Sequence, residues 1–222
     1  MHPTPQPTAS HAVRIPAGPA HLEGLLALPP APRGAVLFAH GSGSSRHSPR
    51  NALVARALQA HGLATLLLDL LTPAEDQVRA NRFDIPLLAQ RLQAAAQWLQ
   101  QQDGTRALPL GLFGASTGAA AALTAAATLG SAVSAVVSRG GRPDLTDPAA
   151  LARVRCPTLL LVGGHDEAVL DLNRQAVRQM RAPVRLCVVP GASHLFEEPG
   201  TLEVVGEAAA DWFVQHLPAV GA

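Results

Sequence analysis

A chain of 222 residues, 48% hydrophobic and 15% charged, is long enough to bury a core and too apolar to be disordered. Its net charge is +1, and all 17 basic residues are Arg with no basic run among them, so no nucleic-acid partner is expected. No apolar stretch reaches the roughly 18–20 residues of a membrane span, and the opening MHPTPQPTASHAVRIP lacks the apolar region of a signal peptide. We therefore expect a cytoplasmic protein without membrane contact, with residues 1–12 a flexible lead-in and residues 13–222 a single domain.

In chain order, Leu22–Leu28 and Ala35–Ala39 read as strands, with Pro29, Pro30, Pro32 and Gly34 turning the chain between them. This opening pair could form an antiparallel edge. Pro49–His61 reads as a helix closed by Gly62, and Leu63–Leu70 as an aliphatic strand covered on both faces. Asp84 caps a helix over Asp84–Gln102, with Pro86 in its first turn. A strand over Leu108–Phe113 precedes a small-residue helix over Thr117–Leu129. Strands follow at Ala132–Val137, Thr158–Val162 and Val184–Val189, with helices near Glu167–Met180 and Leu202–His216. Such alternation implies right-handed crossovers and a mostly parallel sheet with helices on both faces. Cys156 and Cys187 read as small buried thiols in strands.

In an open α/β sheet, chemistry gathers at the carboxyl ends of the strands. Gly114-Ala115-Ser116-Thr117-Gly118 is a G-x-S-x-G between a strand and a helix. That setting holds Ser116 on a sharp turn with its side chain exposed, at the positive end of the helix dipole. A serine hydroxyl needs a base to take its proton. Of nine histidines, His194 follows the last strand on a Gly-containing loop, whereas His40 is better placed to support its own loop. The acid expected beside His194 is Asp166, at the end of the preceding strand, rather than Glu167 or Asp171. The order Ser116, Asp166, His194 is the one found in α/β-hydrolases. Upstream, His40-Gly41-Ser42-Gly43-Ser44-Ser45 brings small residues to a strand end, where the Ser42 N–H could join that of Thr117 around an oxyanion, with Gly43 the next choice. The glycines fit neither a Walker loop nor G-x-G-x-x-G, and no metal-ligand spacing is present.

The segments HGSGSSRHSPRN (40–51), LDLLTP (68–73), RFDI (82–85), GASTGAAAAL (114–123) and SRGGRPDL (138–145) now join the Asp166 and His194 loops. Together they resemble the dienelactone hydrolase-like branch of the α/β-hydrolase superfamily. The resemblance covers nearly the whole chain after the lead-in. It implies hydrolysis of small esters or lactones with no cofactor and no metal. The branch's namesake uses a cysteine nucleophile; position 116 is serine, which points to a serine esterase rather than the dienelactone reaction itself. Thioester or amide hydrolysis would use the same residues, and a binding module that keeps only the fold is the alternative from another class. Arg46 and Arg139 are candidate contacts for an acidic substrate. Short linkers over Thr72–Arg82 and Gly141–Arg155 imply a minimal lid or none, and an open site suited to short acyl groups.

Overall fold

The computed structural model describes residues 8–219. Its eight-stranded sheet has the order β1-β2-β4-β3-β5-β6-β7-β8. The strands are β1 Ser10–Ala17, β2 Ala20–Ala27, β3 Gly34–Ala39, β4 Leu63–Leu68, β5 Leu110–Ala115, β6 Val133–Arg139, β7 Thr158–Gly163 and β8 Val184–Val189. From β4 through β3 to β8 every neighbour is parallel. The hairpin β1–β2 is antiparallel and joins the sheet through β2 against β4.

Two expectations are corrected here. The anticipated pairing of the strand near Leu22 with that near Ala35 does not form: β3 lies between β4 and β5, and β2 takes the outer side of β4. Nor does the whole of 1–12 lie ahead of the fold, because β1 starts at Ser10; residues 1–7 lie outside the described residues. In β1 the inward side chains Val13, Ile15 and Ala17 alternate with outward ones, but the run is short and interrupted by Pro16, which leaves a weak strand signal in the sequence.

Helices cover both faces. On one side lie α1 Pro49–Ala60 and α7 Thr201–His216, and on the other α3 Ile85–Leu99 and α4 Thr117–Leu129. The central strand β3 divides its side chains accordingly: Val36 and Phe38 face α1 and α7, while Leu37 and Ala39 face α3 and α4. Burying one such side chain is worth about 1.5–3 kcal/mol, so the two faces of the sheet carry most of the stabilisation. Phe38 and Phe113 stack across β3 and β5 with ring centroids 4.7 Å apart. The remaining α-helices are α2 Pro73–Asp76, α5 Pro148–Arg153 and α6 Glu167–Gln179; with 3-10 turns at Arg79–Phe83 and Pro143–Leu145, each of the two short linkers holds one short helix and one 3-10 turn.

Caps fix the helix ends. Asp84 accepts the Leu87 N–H at the start of α3, as its sequence position suggests. Thr72 and Glu75 form a reciprocal capping box on α2. Cys156 is buried but sits just before β7 rather than in it; Cys187 is half-buried in β8, and both thiols are free. No helix of the described residues is long and apolar enough to cross a membrane.

This topology positions the site. The chain runs from β3 to β4 on one side and reaches β5 on the other, so the loops after β3 and β5 diverge from adjacent strands. A crevice at such a switch point is where open α/β sheets bind ligands.

Candidate active site

At the end of β5 the chain turns into α4 at Ser116, which has φ +51° and ψ −120°, a region L-residues rarely occupy. Packing on both sides enforces this turn. A Cβ at Gly114 would lie 2.4 Å from Ala119 Cα, and one at Gly118 would lie 2.3 Å from the Ala39 carbonyl oxygen. Only glycine lets β5, α4 and β3 approach this closely. Ser116 N–H donates to the Arg139 carbonyl at 3.1 Å, tying the turn to β6.

The loops after β7 and β8 meet this turn. His194 Nε2 is 3.3 Å from Ser116 Oγ, and His194 Nδ1 is 2.6 Å from Asp166 Oδ2. Asp166 is the N-cap residue of α6 yet makes no side-chain capping bond, which leaves its carboxylate to His194. The Asp166 side chain is 14% exposed and that of His194 is 37% exposed, so the carboxylate is shielded while the imidazole reaches solvent. With an acceptor on Nδ1, the neutral imidazole carries its proton there and leaves Nε2 a lone pair toward the hydroxyl. Gly140, at φ +52°, backs this ring: a Cβ there would sit 3.2 Å from the His194 carbonyl oxygen and 3.5 Å from the ring.

The loop after β3 lies against the start of α4. Thr117 is the first residue of α4, so its N–H has no carbonyl one turn earlier to bond. The Ser42 N–H differs from expectation: it donates to Thr117 Oγ1 at 2.8 Å and is not a vacant donor. The threonine hydroxyl at this position supplies the competing acceptor. His40 supports its loop, accepting the Leu70 N–H on Nε2 and contacting the Gly41 carbonyl through Nδ1. Beside Gly41, Ser42 and Thr117 lies a crevice of about 10 Å³, walled by Leu70, Leu71 and Leu88. A larger cavity of about 230 Å³ lies on the β2 side of the same loop, lined by His21, Glu23 and Asp69 among others, and touches neither Ser116 nor His194.

The two arginines named as candidate substrate contacts each have partners within the fold. Arg46 is paired with Asp69, whose Oδ1 also accepts the Arg46 N–H. Arg139 is 8% exposed and turns toward α1, with Nη2 3.5 Å from Asn51 Oδ1 and the guanidinium 6.0 Å from the centre of the Phe196 ring. Its Nη1 makes no hydrogen bond among the described residues. Burial, reinforced by the nearby Arg50 charge, pushes the Arg139 guanidinium down to about 10. Alternation along β6 places the Arg139 side chain on the same face as Val137.

One contact beside His194 was not foreseen: Glu198 accepts the Ser193 N–H at 3.0 Å. Hydrogen bonding from Ser193 holds this carboxyl below the usual glutamate range. Nothing in HLFEEPG distinguishes Glu198 from Glu197, because the bond depends on how the loop folds back. Among the described residues, no group of three or more His, Cys, Asp or Glu is arranged to hold a metal ion.

Residues 32–216 match the family model described as an alpha/beta hydrolase domain. The chain is 52% identical to a dienelactone hydrolase from Anabaena variabilis ATCC 29413, covering 96% of this chain and 100% of that one, with a TM-score of 0.93. A Xanthomonas campestris protein described as an α/β serine hydrolase without a lid is 25% identical, with a TM-score of 0.76 over 96% of this chain and 98% of its own. Two Mycobacterium tuberculosis proteins, provisionally named phosphoribosyl transferases, are 57% identical over 211 residues. That match takes in 95% of this chain but 47% of theirs, so the chain spans about half the length of these curated relatives. The family match and the whole-length likeness to a solved hydrolase agree with the switch-point site: the chain belongs to the α/β-hydrolase family, in its dienelactone hydrolase-like branch.

Proposed function

We propose that the chain is a serine hydrolase of small carboxylic esters or lactones, working through an acyl-enzyme. The observation that carries this reading is the relay Ser116 Oγ–His194 Nε2 at 3.3 Å and His194 Nδ1–Asp166 Oδ2 at 2.6 Å. In the first step Ser116 Oγ attacks the carbonyl carbon while His194 Nε2 takes the hydroxyl proton. Asp166 holds the imidazole tautomer and stabilises the imidazolium, then His194 delivers the proton to the departing alkoxide. Water, deprotonated by the same imidazole, releases the acyl group and restores Ser116.

The Thr117 N–H is the donor we assign to the oxyanion, at the N-terminus of α4 where the helix dipole favours negative charge. The Ser42 N–H donates to the Thr117 hydroxyl and so holds the loop after β3 beside that donor. The 10 Å³ crevice beside these groups has room for about one water-sized group. The transferase name of the Mycobacterium tuberculosis relatives belongs to proteins of about twice this length, of which this chain matches 47%.

Replacing Ser116 with Ala should abolish turnover of p-nitrophenyl acetate while leaving the thermal transition in place. A fluorophosphonate probe should label Ser116 in the native chain and fail to label the variant. Turnover that survives Ser116→Ala would sink the assignment.

A further inference from the structure

We propose that Glu198 is a positioning residue for His194, acting through the hydrogen bond that its carboxylate accepts from the Ser193 N–H. The inference rests on the reading in which His194 is the base. His194 sits in a long connection between the end of β8 at Val189 and the start of α7 at Thr201. Its imidazole has two polar partners, Asp166 and Ser116, and is 37% exposed, so its placement depends on the backbone that carries it.

That backbone is gripped at several points. The Ala192 carbonyl accepts the His165 N–H at 3.0 Å. The absence of a side chain at Gly163 lets the Ala192 and Ser193 carbonyls approach the end of β7, where a Cβ would lie 2.4 and 2.6 Å from them. Phe196 plugs the core at 2% exposure, with φ +55°, and its N–H returns to the Ser193 carbonyl at 3.2 Å. These contacts hold the carbonyl side of the loop. The Ser193 N–H, in the residue just before His194, is held by Glu198 Oε2 at 3.0 Å.

Glu198 is itself fixed from the far side. Its carbonyl accepts both the N–H and the hydroxyl of Thr201, at 3.1 and 2.8 Å. The first residue of α7, Glu198, Ser193 and His194 therefore form a continuous mechanical connection from a packed helix to the imidazole. The neighbouring Glu197 reaches Arg50 instead, at 3.2 Å, so the two adjacent carboxylates serve different partners. The function requires an acceptor oxygen at the full reach of a glutamate. An aspartate falls short by about one carbon–carbon bond, roughly 1.5 Å.

The test compares three variants on p-nitrophenyl acetate, with Ser116→Ala run alongside. Glu198→Gln keeps reach and acceptor but loses the charge, and should keep kcat within about threefold of the parent. Glu198→Ala and Glu198→Asp lose the acceptor at Ser193 and should lower kcat by about ten- to a hundredfold with little change in KM, the size expected when a reacting group is misplaced by about an ångström. The downfield proton resonance of the His194–Asp166 hydrogen bond should persist in Glu198→Gln and broaden or vanish in Glu198→Asp. If Glu198→Ala fails to fold, the Gln and Asp pair still decides the matter. Parental kcat in Glu198→Asp, or equal damage in Glu198→Gln and Glu198→Asp, overturns the proposal while an inactive Ser116→Ala leaves the triad reading standing. Turnover persisting in Ser116→Ala overturns the reading beneath it instead.

Discussion

The Ser42 N–H donates to Thr117 Oγ1 at 2.8 Å, joining the loop after β3 to the first residue of α4. This bond links the loop after β3 to the residue that follows Ser116, and Thr117 itself is buried, 4% exposed. Replacing Thr117 with Val keeps the shape and removes the acceptor. We expect stability to fall by about 1 kcal/mol and kcat/KM by up to about tenfold, because the loop loses its anchor. Thr117→Ser should stay near the parent. Steady-state kinetics on a short ester, with a urea melt of each variant, would show whether the hydroxyl matters.

Gly118 is a steric requirement of the turn. A Cβ there would lie 2.3 Å from the Ala39 carbonyl oxygen and 2.4 Å from that of His40, both backbone atoms that cannot swing aside. Gly118→Ala should cost about 3 kcal/mol or more, at the top of the range for overpacking. Gly18→Ala, in the β1–β2 turn at φ +65° with nothing within 4 Å, should cost only about 1–2 kcal/mol from backbone conformation. Urea midpoints of the two variants that turn out equal would contradict the packing argument.

Two buried arginines should respond oppositely to replacement. Arg91, 7% exposed, donates to the Ala17 carbonyl and to Glu75 Oε1 at 2.6 Å. Arg91→Met strands both acceptors and should lower stability by about 2 kcal/mol. Arg139 is nearly as buried but pairs with no carboxylate among the described residues. Replacing an unpaired buried cation by an apolar side chain of similar length removes a desolvation cost, so Arg139→Met should be neutral or stabilising. A large loss of stability in Arg139→Met would show that its weak contacts to Asn51 and Phe196 outweigh that cost.

The pH dependence of stability should carry a signature of Glu75. Burial raises the Glu75 carboxyl, but hydrogen bonds from Thr72 and the charge and hydrogen bond of Arg91 outweigh it, leaving the folded value below the ordinary one. A depressed folded pKa contributes stability that is present above the unfolded value, about 4.3 for glutamate, and is lost as pH falls through the folded value. The parent should therefore lose more of its melting temperature than Glu75→Gln as the pH drops below about 4.3. Parallel melting curves for the two proteins across that range would refute the assignment.

The two thiols should differ in reactivity. Burial pushes the Cys156 thiol up to about 11, whereas Cys187 is half-buried in the edge strand β8. Because the thiolate is the reactive form, an aromatic disulfide reagent at neutral pH should titrate Cys187 in the native chain and Cys156 only after unfolding. Fast modification of Cys156 without denaturant would argue that the segment ahead of β7 opens locally.

Local composition specifies the alternation of strands and helices, and with it the strand ends at which the candidate residues lie. Gly114, Ser116 and Gly118 were legible because a strand, a sharp turn and a helix each leave a local composition signal. Asp166 and His194 stand out as candidates because each follows a strand directly on a glycine-bearing turn. Tertiary structure alone decided the contacts between segments far apart in the chain. It set β3 between β4 and β5, gave the Ser42 N–H to Thr117 rather than leaving it vacant, and paired Arg46 with Asp69. It also turned Arg139 inward and folded Glu198 back onto Ser193. Local propensity fixes which elements form, whereas a side chain's hydrogen-bond partner is chosen by whichever donor or acceptor the packed fold brings within about 3 Å.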